Sequence, residues 1–138
     1  MAIETTLVLV KPDGVRRGLC GEIVSRLERR GYELRGARLL RVSRALAQQH
    51  YAEHKGKPFF SELVSFITSG PVLALAVRGE SAVLGVRAMM GATDPADSAP
   101  GTIRGDLATL LAENIVHGSD SRASAKRELA LFFPAGLG

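Results

Sequence analysis

Thr5-Thr6-Leu7-Val8-Leu9-Val10-Lys11-Pro12-Asp13-Gly14 decides how the rest of the chain is read. A run of high β-propensity meets a Pro-Asp-Gly turn signal, so a strand hands over to a loop at Lys11. Outward from this run, Gly21 to Arg30 sets Ile23, Val24 and Leu27 on one helical face with charges opposite, and Gly31 supplies a stop. A strand is predicted within Glu33 to Val42, followed by a short helix opened by Ser43 and another from about Phe60 to Thr68 that ends at Ser69-Gly70-Pro71. Val72 to Val77 is an apolar run suited to a buried strand. Ser81 is placed to cap a helix carrying Val83, Val86 and Met90, and Ser121 to cap a last helix running through Glu128. Gly91 to Gly105 is dense in Gly, Pro, Asp, Ser and Thr, and the stretch 91–113 reads as an ordered, functional loop before a short strand at Asn114 to His117.

The order strand, helix, strand, helix, strand, helix, strand implies an α+β fold. The expected form is a ferredoxin-like split βαβ sandwich, a four-stranded antiparallel sheet with helices packed on one face. A length of 138 residues with 46% apolar composition supports one core, so residues 1–138 are expected to form a single domain. Cys20 is the only cysteine and can form no internal disulfide, and MAIETTLVLVKPDG has a strand pattern, not that of a secretion signal; a cytoplasmic protein is expected. No apolar run approaches the roughly 20 residues a membrane helix needs. Eighteen Lys and Arg against 14 Asp and Glu give a net charge of +4, a bias toward anionic ligands. Basic residues such as Arg29, Arg30, Arg35, Arg38 and Arg41 are dispersed in sequence, as on a solvated face.

No GxxxxGK[ST] run and no HRD or DFG element is present, so phosphate chemistry would need a different site. Asn114-Ile115-Val116-His117-Gly118-Ser119-Asp120-Ser121 supplies one: a histidine at a strand end, beside a glycine that leaves access, just before a helix start. Neutral imidazole is nucleophilic and titrates near pH 7. Glu128, eleven residues along, could fold back to hold the ring in one tautomer and stabilise the cation formed on phosphorylation. Taken alone, His117 reads first as a satisfied structural histidine and Glu128 as a solvated helix charge.

The blocks TLVLVKPDGV, HYAEHKGKPFF, SGPVLALAV, GATDPADSAPGTIRGD and NIVHGSDS resemble the nucleoside diphosphate kinases in order and spacing over nearly the whole chain. The resemblance implies ping-pong transfer of a γ-phosphate between nucleoside tri- and diphosphates through a phosphohistidine at His117, with Glu128 and Ser119 supporting it. It implies that Lys11 and Asn114 contact sugar hydroxyls and phosphate, that Arg87, Thr93 and Arg104 bind phosphate, that Phe59 stacks on the base and that Tyr51 lies near the reacting phosphate. Mg2+ is implied as cofactor, held mainly by the nucleotide, with Asp120 reaching it through water. A homo-oligomer is implied, a hexamer ahead of a tetramer, although the chain lacks the longer tail after Phe133-Pro134 that some relatives use in assembly. Leu107 replaces a common aromatic and Phe132 a common tryptophan, which concerns packing more than chemistry.

Two rival readings attach to other features. His50-Tyr51-Ala52-Glu53-His54 spells H-x-x-E-H, a zinc-peptidase helix signature, but Lys55-Gly56-Lys57-Pro58 ends such a helix at once and no third ligand is evident. A basic nucleic-acid-binding module of ferredoxin-like fold is the alternative function, suggested by a pI of about 9.7. It lacks an aromatic-rich strand on which bases would stack, so nucleic-acid binding is expected to be secondary at most.

Overall fold

The TTLVLV run lies inside the sheet, flanked by strands on both sides. In the computed structural model, which describes residues 2–137, β1 (Ile3–Val10) pairs antiparallel with β3 (Val72–Glu80) on one side and β4 (Val116–Gly118) on the other. The strand β2 (Glu33–Leu40) pairs antiparallel with β3, with a register shift between Leu34 and Gly36, to give the order β2-β3-β1-β4. This is the expected four-stranded antiparallel ferredoxin-like sheet. Met1 and Gly138, the ends of the expected 1–138 domain, lie outside the described residues.

Helices cover both faces of the sheet and not one. Alternation along β1 sends Val8 and Val10 into a core with Ile23, Leu27, Leu75, Val77, Val86 and Met90, whereas Leu7 and Leu9 meet Ala47, Val64, Ile67, Ala74, Ala76 and Phe132. On the first side pack α2 (Cys20–Arg30) and α5 (Ala82–Met90); on the second, α3 (Arg44–His50), α4 (Phe60–Ile67) and α7 (Arg122–Phe132). The reason is legible in the strands: LVLV (Leu7 to Val10) and VLALAV are apolar at every position, as strands buried on both faces must be.

Local chemistry sets the helix ends. Ser43 and Ser121 cap α3 and α7, accepting from Leu46 N at 3.1 Å and Ser124 N at 3.0 Å. Ser81 does not cap α5: it sits in the left-handed region at φ 47° with no side-chain cap bond. Glu4 does that work from β1, its Oε1 accepting from Val83 N at 3.1 Å while Oε2 pairs with Arg122 at 3.4 Å. The Pro-Asp-Gly segment is a short helix, α1 (Pro12–Arg16), because proline at the first position suits a helix start as well as a turn. The stretch 91–113 is ordered but not all loop. It holds a 3-10 turn at Pro95–Asp97 and α6 (Ile103–Leu107), whose Thr102 cap accepts from Gly105 N at 3.0 Å. Leu107 is partly buried against the first core and Phe132 is fully buried in the second. Among the described residues, no helix is long and apolar enough to cross a membrane.

Candidate active site

β4 holds His117 opposite Leu9 at the sheet edge, and α7 returns across the sheet to bring Glu128 beneath it. His117 Nε2 lies 2.9 Å from Glu128 Oε1, and Ser119 Oγ donates to the same oxygen at 2.7 Å. Glu128 is only 5% exposed. Burial alone would raise its carboxyl, but the bond and charge of His117 and the bond from Ser119 outweigh that and hold it at about 2. It is therefore an ionised acceptor across the working pH range. Gly118 does not serve access: a Cβ there would meet Met90 Sδ at 2.9 Å, so the glycine lets β4 pack against α5.

His117 opens onto a cavity of about 790 Å³ whose wall collects every other expected site residue except Ser119, which is fully buried and bonded to Glu128. Lys11 enters at the end of β1, with its ammonium 5.7 Å from the centre of the Phe66 ring. Burial lowers Lys11 to about 8, with Arg104 pushing the same way and Asp13 opposing. Arg87, on α5, donates to Gly118 O at 3.2 Å. Arg104 is largely occupied by backbone: its Nε donates to Asn114 O at 3.3 Å, Nη1 to Gly91 O at 3.0 Å and Nη2 to Val116 O at 2.8 Å. It thus ties the start of the 91–113 stretch to the histidine segment while carrying its charge into the wall; burial lowers its pKa to about 10, with Arg87 adding to the effect. Asn114 gives its amide N–H to Thr93 O at 2.9 Å, and its buried Oδ1 has no partner.

Phe59 is 44% exposed at the rim, with His54 and Lys57 beside its ring. A flat aromatic face left open to solvent suits a stacking partner. Tyr51 is raised to about 12, chiefly by burial, and remains a protonated donor. Asp120 is exposed at the cavity edge. A hard divalent cation keeps several waters and takes one or two carboxylates beside phosphate oxygens, and a single rim carboxylate fits that donor set.

His50 was read in the sequence only as part of H-x-x-E-H. The helix α3 ends at His50, and Ala52–His54 is a 3-10 turn, so the two histidines do not share an α-helical face. His50 turns inward, edge-on to His117 with ring centroids 4.8 Å apart, and also touches Phe132. Burial above all, then the neighbouring His117, lowers it to about 3, so it is neutral. His50, His117 and Glu128 have ligand atoms within 4.8 Å of one another. Zinc bonds of about 2.0–2.2 Å hold their ligand atoms closer than this spread, and Glu128 is already committed. Asp13 and the left-handed Ile115, which the sequence did not mark as functional, also stand next to the site. Among the described residues, edge strand β2 is the exposed part of the sheet, and it carries no aromatic side chain on which bases would stack.

Residues 4–136 match the family model described as nucleoside diphosphate kinase. The chain belongs to the nucleoside diphosphate kinase family. It is 63% identical over 131 residues to the nucleoside diphosphate kinase of Rubrobacter xylanophilus, covering 95% of this chain and 98% of that one. It is 58% identical to that of Deinococcus radiodurans over 97% of each chain. Among solved structures, the halophilic nucleoside diphosphate kinase of Halobacterium salinarum in complex with CDP superposes with a TM-score of 0.96 at 53% identity, covering 99% of this chain and 92% of that one. A nucleoside diphosphate kinase family protein of Babesia bovis gives 0.95 at 46% identity, covering 98% and 92%. As a member of this family, the chain is a phosphotransferase acting on nucleotides.

Proposed function

We propose that this chain is a nucleoside diphosphate kinase in which His117 Nδ1 is the phosphate acceptor, the whole of residues 1–138 acting as one catalytic domain. The observation that carries this reading is the contact of His117 Nε2 with an ionised Glu128 at 2.9 Å. A carboxylate can only accept, so Nε2 holds the ring proton and Nδ1 keeps its lone pair. That lone pair attacks the γ-phosphorus of a triphosphate, the bond from phosphorus to the bridging oxygen breaks, and its electron pair leaves with the diphosphate. A second diphosphate reverses the step: its terminal oxygen attacks, the N–P bond breaks, and the pair returns to Nδ1. No proton has to leave the ring in either half.

Positioning and charge carry the rest. Lys11, Arg87 and Arg104 supply positive potential to the phosphates. Thr93 lines the phosphate end and Tyr51 gives a hydroxyl donor near the reacting group. Phe59 stacks on the base, and the unpartnered Asn114 Oδ1 accepts from the sugar 3′-hydroxyl, with Lys11 at its side. Asp120 would hold Mg2+ through water, and the ion would neutralise charge on the phosphates. The family resemblance supports a cytoplasmic homo-oligomer, a hexamer ahead of a tetramer.

The test is to incubate the protein with γ-labelled triphosphate. An acid-labile, base-stable label is expected on the chain, and His117→Gln should abolish both label and turnover. Label at the wild-type level on the His117→Gln chain would put the nucleophile elsewhere.

A further inference from the structure

Ile115 occupies the left-handed region at φ 72°. This backbone is costly for a β-branched residue and persists only where the surroundings hold it. A γ-turn bond from the Val116 N–H to the Asn114 carbonyl at 2.8 Å closes around it, and the turn after β1 braces it from outside. Asp13 Oδ2 accepts from the Ile115 N–H at 3.0 Å, and the Lys11 N–H donates to the Ile115 carbonyl at 2.7 Å, so both peptide groups of the strained residue are fixed from one short segment. Asp13 is 1% exposed, and its Oδ1 has no partner. Burying a carboxylate is unfavourable, and the bond to Ile115 is the interaction that Asp13 gives in return. Gly14 completes the seat: a Cβ there would meet Val10 Cγ1 at 2.8 Å and Ile115 Cγ2 at 3.0 Å, so the Ile115 side chain closes directly on the turn.

The residues flanking Ile115 are the site itself. Asn114, just before it, is tied to Thr93, and His117, two residues after, enters β4 opposite Leu9. If Ile115 relaxed to an extended backbone, both would move together, away from Arg104, which bonds to the carbonyls of Asn114 and Val116. Asp13 itself does not line the cavity.

We propose that Asp13 is a positioning residue for phosphoryl transfer: its carboxylate clamps the Ile115 peptide in the left-handed conformation and so sets His117 and Asn114 in one geometry. The proposal rests on His117 being the phosphate acceptor. It separates from a merely structural role because it depends on the strain at one backbone dihedral. Ile115→Gly removes the penalty for a positive φ, whereas Ile115→Ala keeps it, and both delete the buried side chain beyond Cβ.

The experiment measures the rate of phosphoenzyme formation from γ-labelled triphosphate on the full chain, with and without Asp13→Ala, in the wild-type, Ile115→Ala and Ile115→Gly backgrounds. Asp13→Ala should slow phosphorylation by about 10- to 100-fold in the first two. In the Ile115→Gly background its cost should fall to about threefold or less, the signature of energetic coupling between the two positions. Asp13→Asn, whose amide oxygen can accept the same N–H, should restore most of the rate. If Asp13→Ala does not fold, Asp13→Ser replaces it, since that side chain is polar but too short to reach the Ile115 N–H. Equal costs in the Gly and Ala backgrounds, or a wild-type rate for Asp13→Ala, would overturn the clamp. An unlabelled wild-type chain would sink the phosphohistidine reading and the clamp with it, whereas a labelled wild type with equal costs sinks the clamp alone.

Discussion

Glu128→Gln keeps the shape of the side chain and removes its charge. Glu128 Oε1 lies 2.9 Å from His117 Nε2 and 2.7 Å from Ser119 Oγ, and its side chain is 6% exposed, so solvent screens it little. Phosphorylation at Nδ1 leaves the ring carrying positive charge while Nε2 stays protonated. A full charge about 4 Å from a carboxylate is stabilised by about 4 kcal/mol at an effective dielectric constant of about 20. With about half of that charge developed midway along the reaction, about 2 kcal/mol of the barrier depends on Glu128, or about 30-fold in rate. The loss should fall on kcat and leave KM nearly unchanged, because the interaction strengthens only as the charge appears. Quenched-flow measurement of labelled phosphoenzyme gives the chemical step directly. A rate within about twofold of wild type would show that the charge is not used, and a loss beyond about 10⁴-fold would make Glu128 a participant in bond making, not a support for the ring.

Two further outcomes follow from the cavity wall. Asn114→Ala should shrink the preference for a natural diphosphate over its 3′-deoxy analogue, measured as a ratio of kcat/KM values, because the unpartnered Oδ1 is the group that rejects the analogue; an undiminished preference would remove Asn114 from the sugar site. Lys11, lowered to about 8, should impose a fall in kcat/KM above about pH 8 as the free enzyme loses that charge, and Lys11→Arg should move the limb to higher pH; a profile flat to pH 9.5 would contradict the assignment. The corresponding effect on stability has the opposite sense. Between the folded value of about 8 and the unfolded value of about 10.4 the unfolded chain binds more protons at Lys11, so this group makes the fold more stable as pH rises through that window.

The first three strands, the order of elements and the serine caps of α3 and α7 were readable because each depends on neighbours in the chain: propensity, period and a hydroxyl three residues from an amide. The last strand, expected at Asn114 to His117, instead starts at Val116, because Ile115 takes a positive φ. Reading the helices onto one sheet face failed, although the unbroken apolar runs of β1 and β3 already carried the correct answer. The Ser81 cap failed for a different reason. Its replacement, Glu4, comes from the far end of β1, seventy-nine residues before the amide it accepts from. The helical character of Ile103–Leu107 was hidden by a Gly- and Pro-rich context that reads as loop.

The site divides along the same line. Sequence by itself determined that this chain carries a histidine at a strand end just before a helix, a carboxylate on that helix and the blocks of the nucleoside diphosphate kinases, since residue identities and their spacing are properties of the chain. Which histidine nitrogen faces the carboxylate, that Arg104 spends most of its donors on backbone, that His50 packs against His117 and that Asp13 accepts from the Ile115 N–H were decided only by the tertiary structure. Each of these depends on distances between segments far apart in the chain, and hydrogen bonding, burial and the pKa shifts they cause act through space, not along sequence.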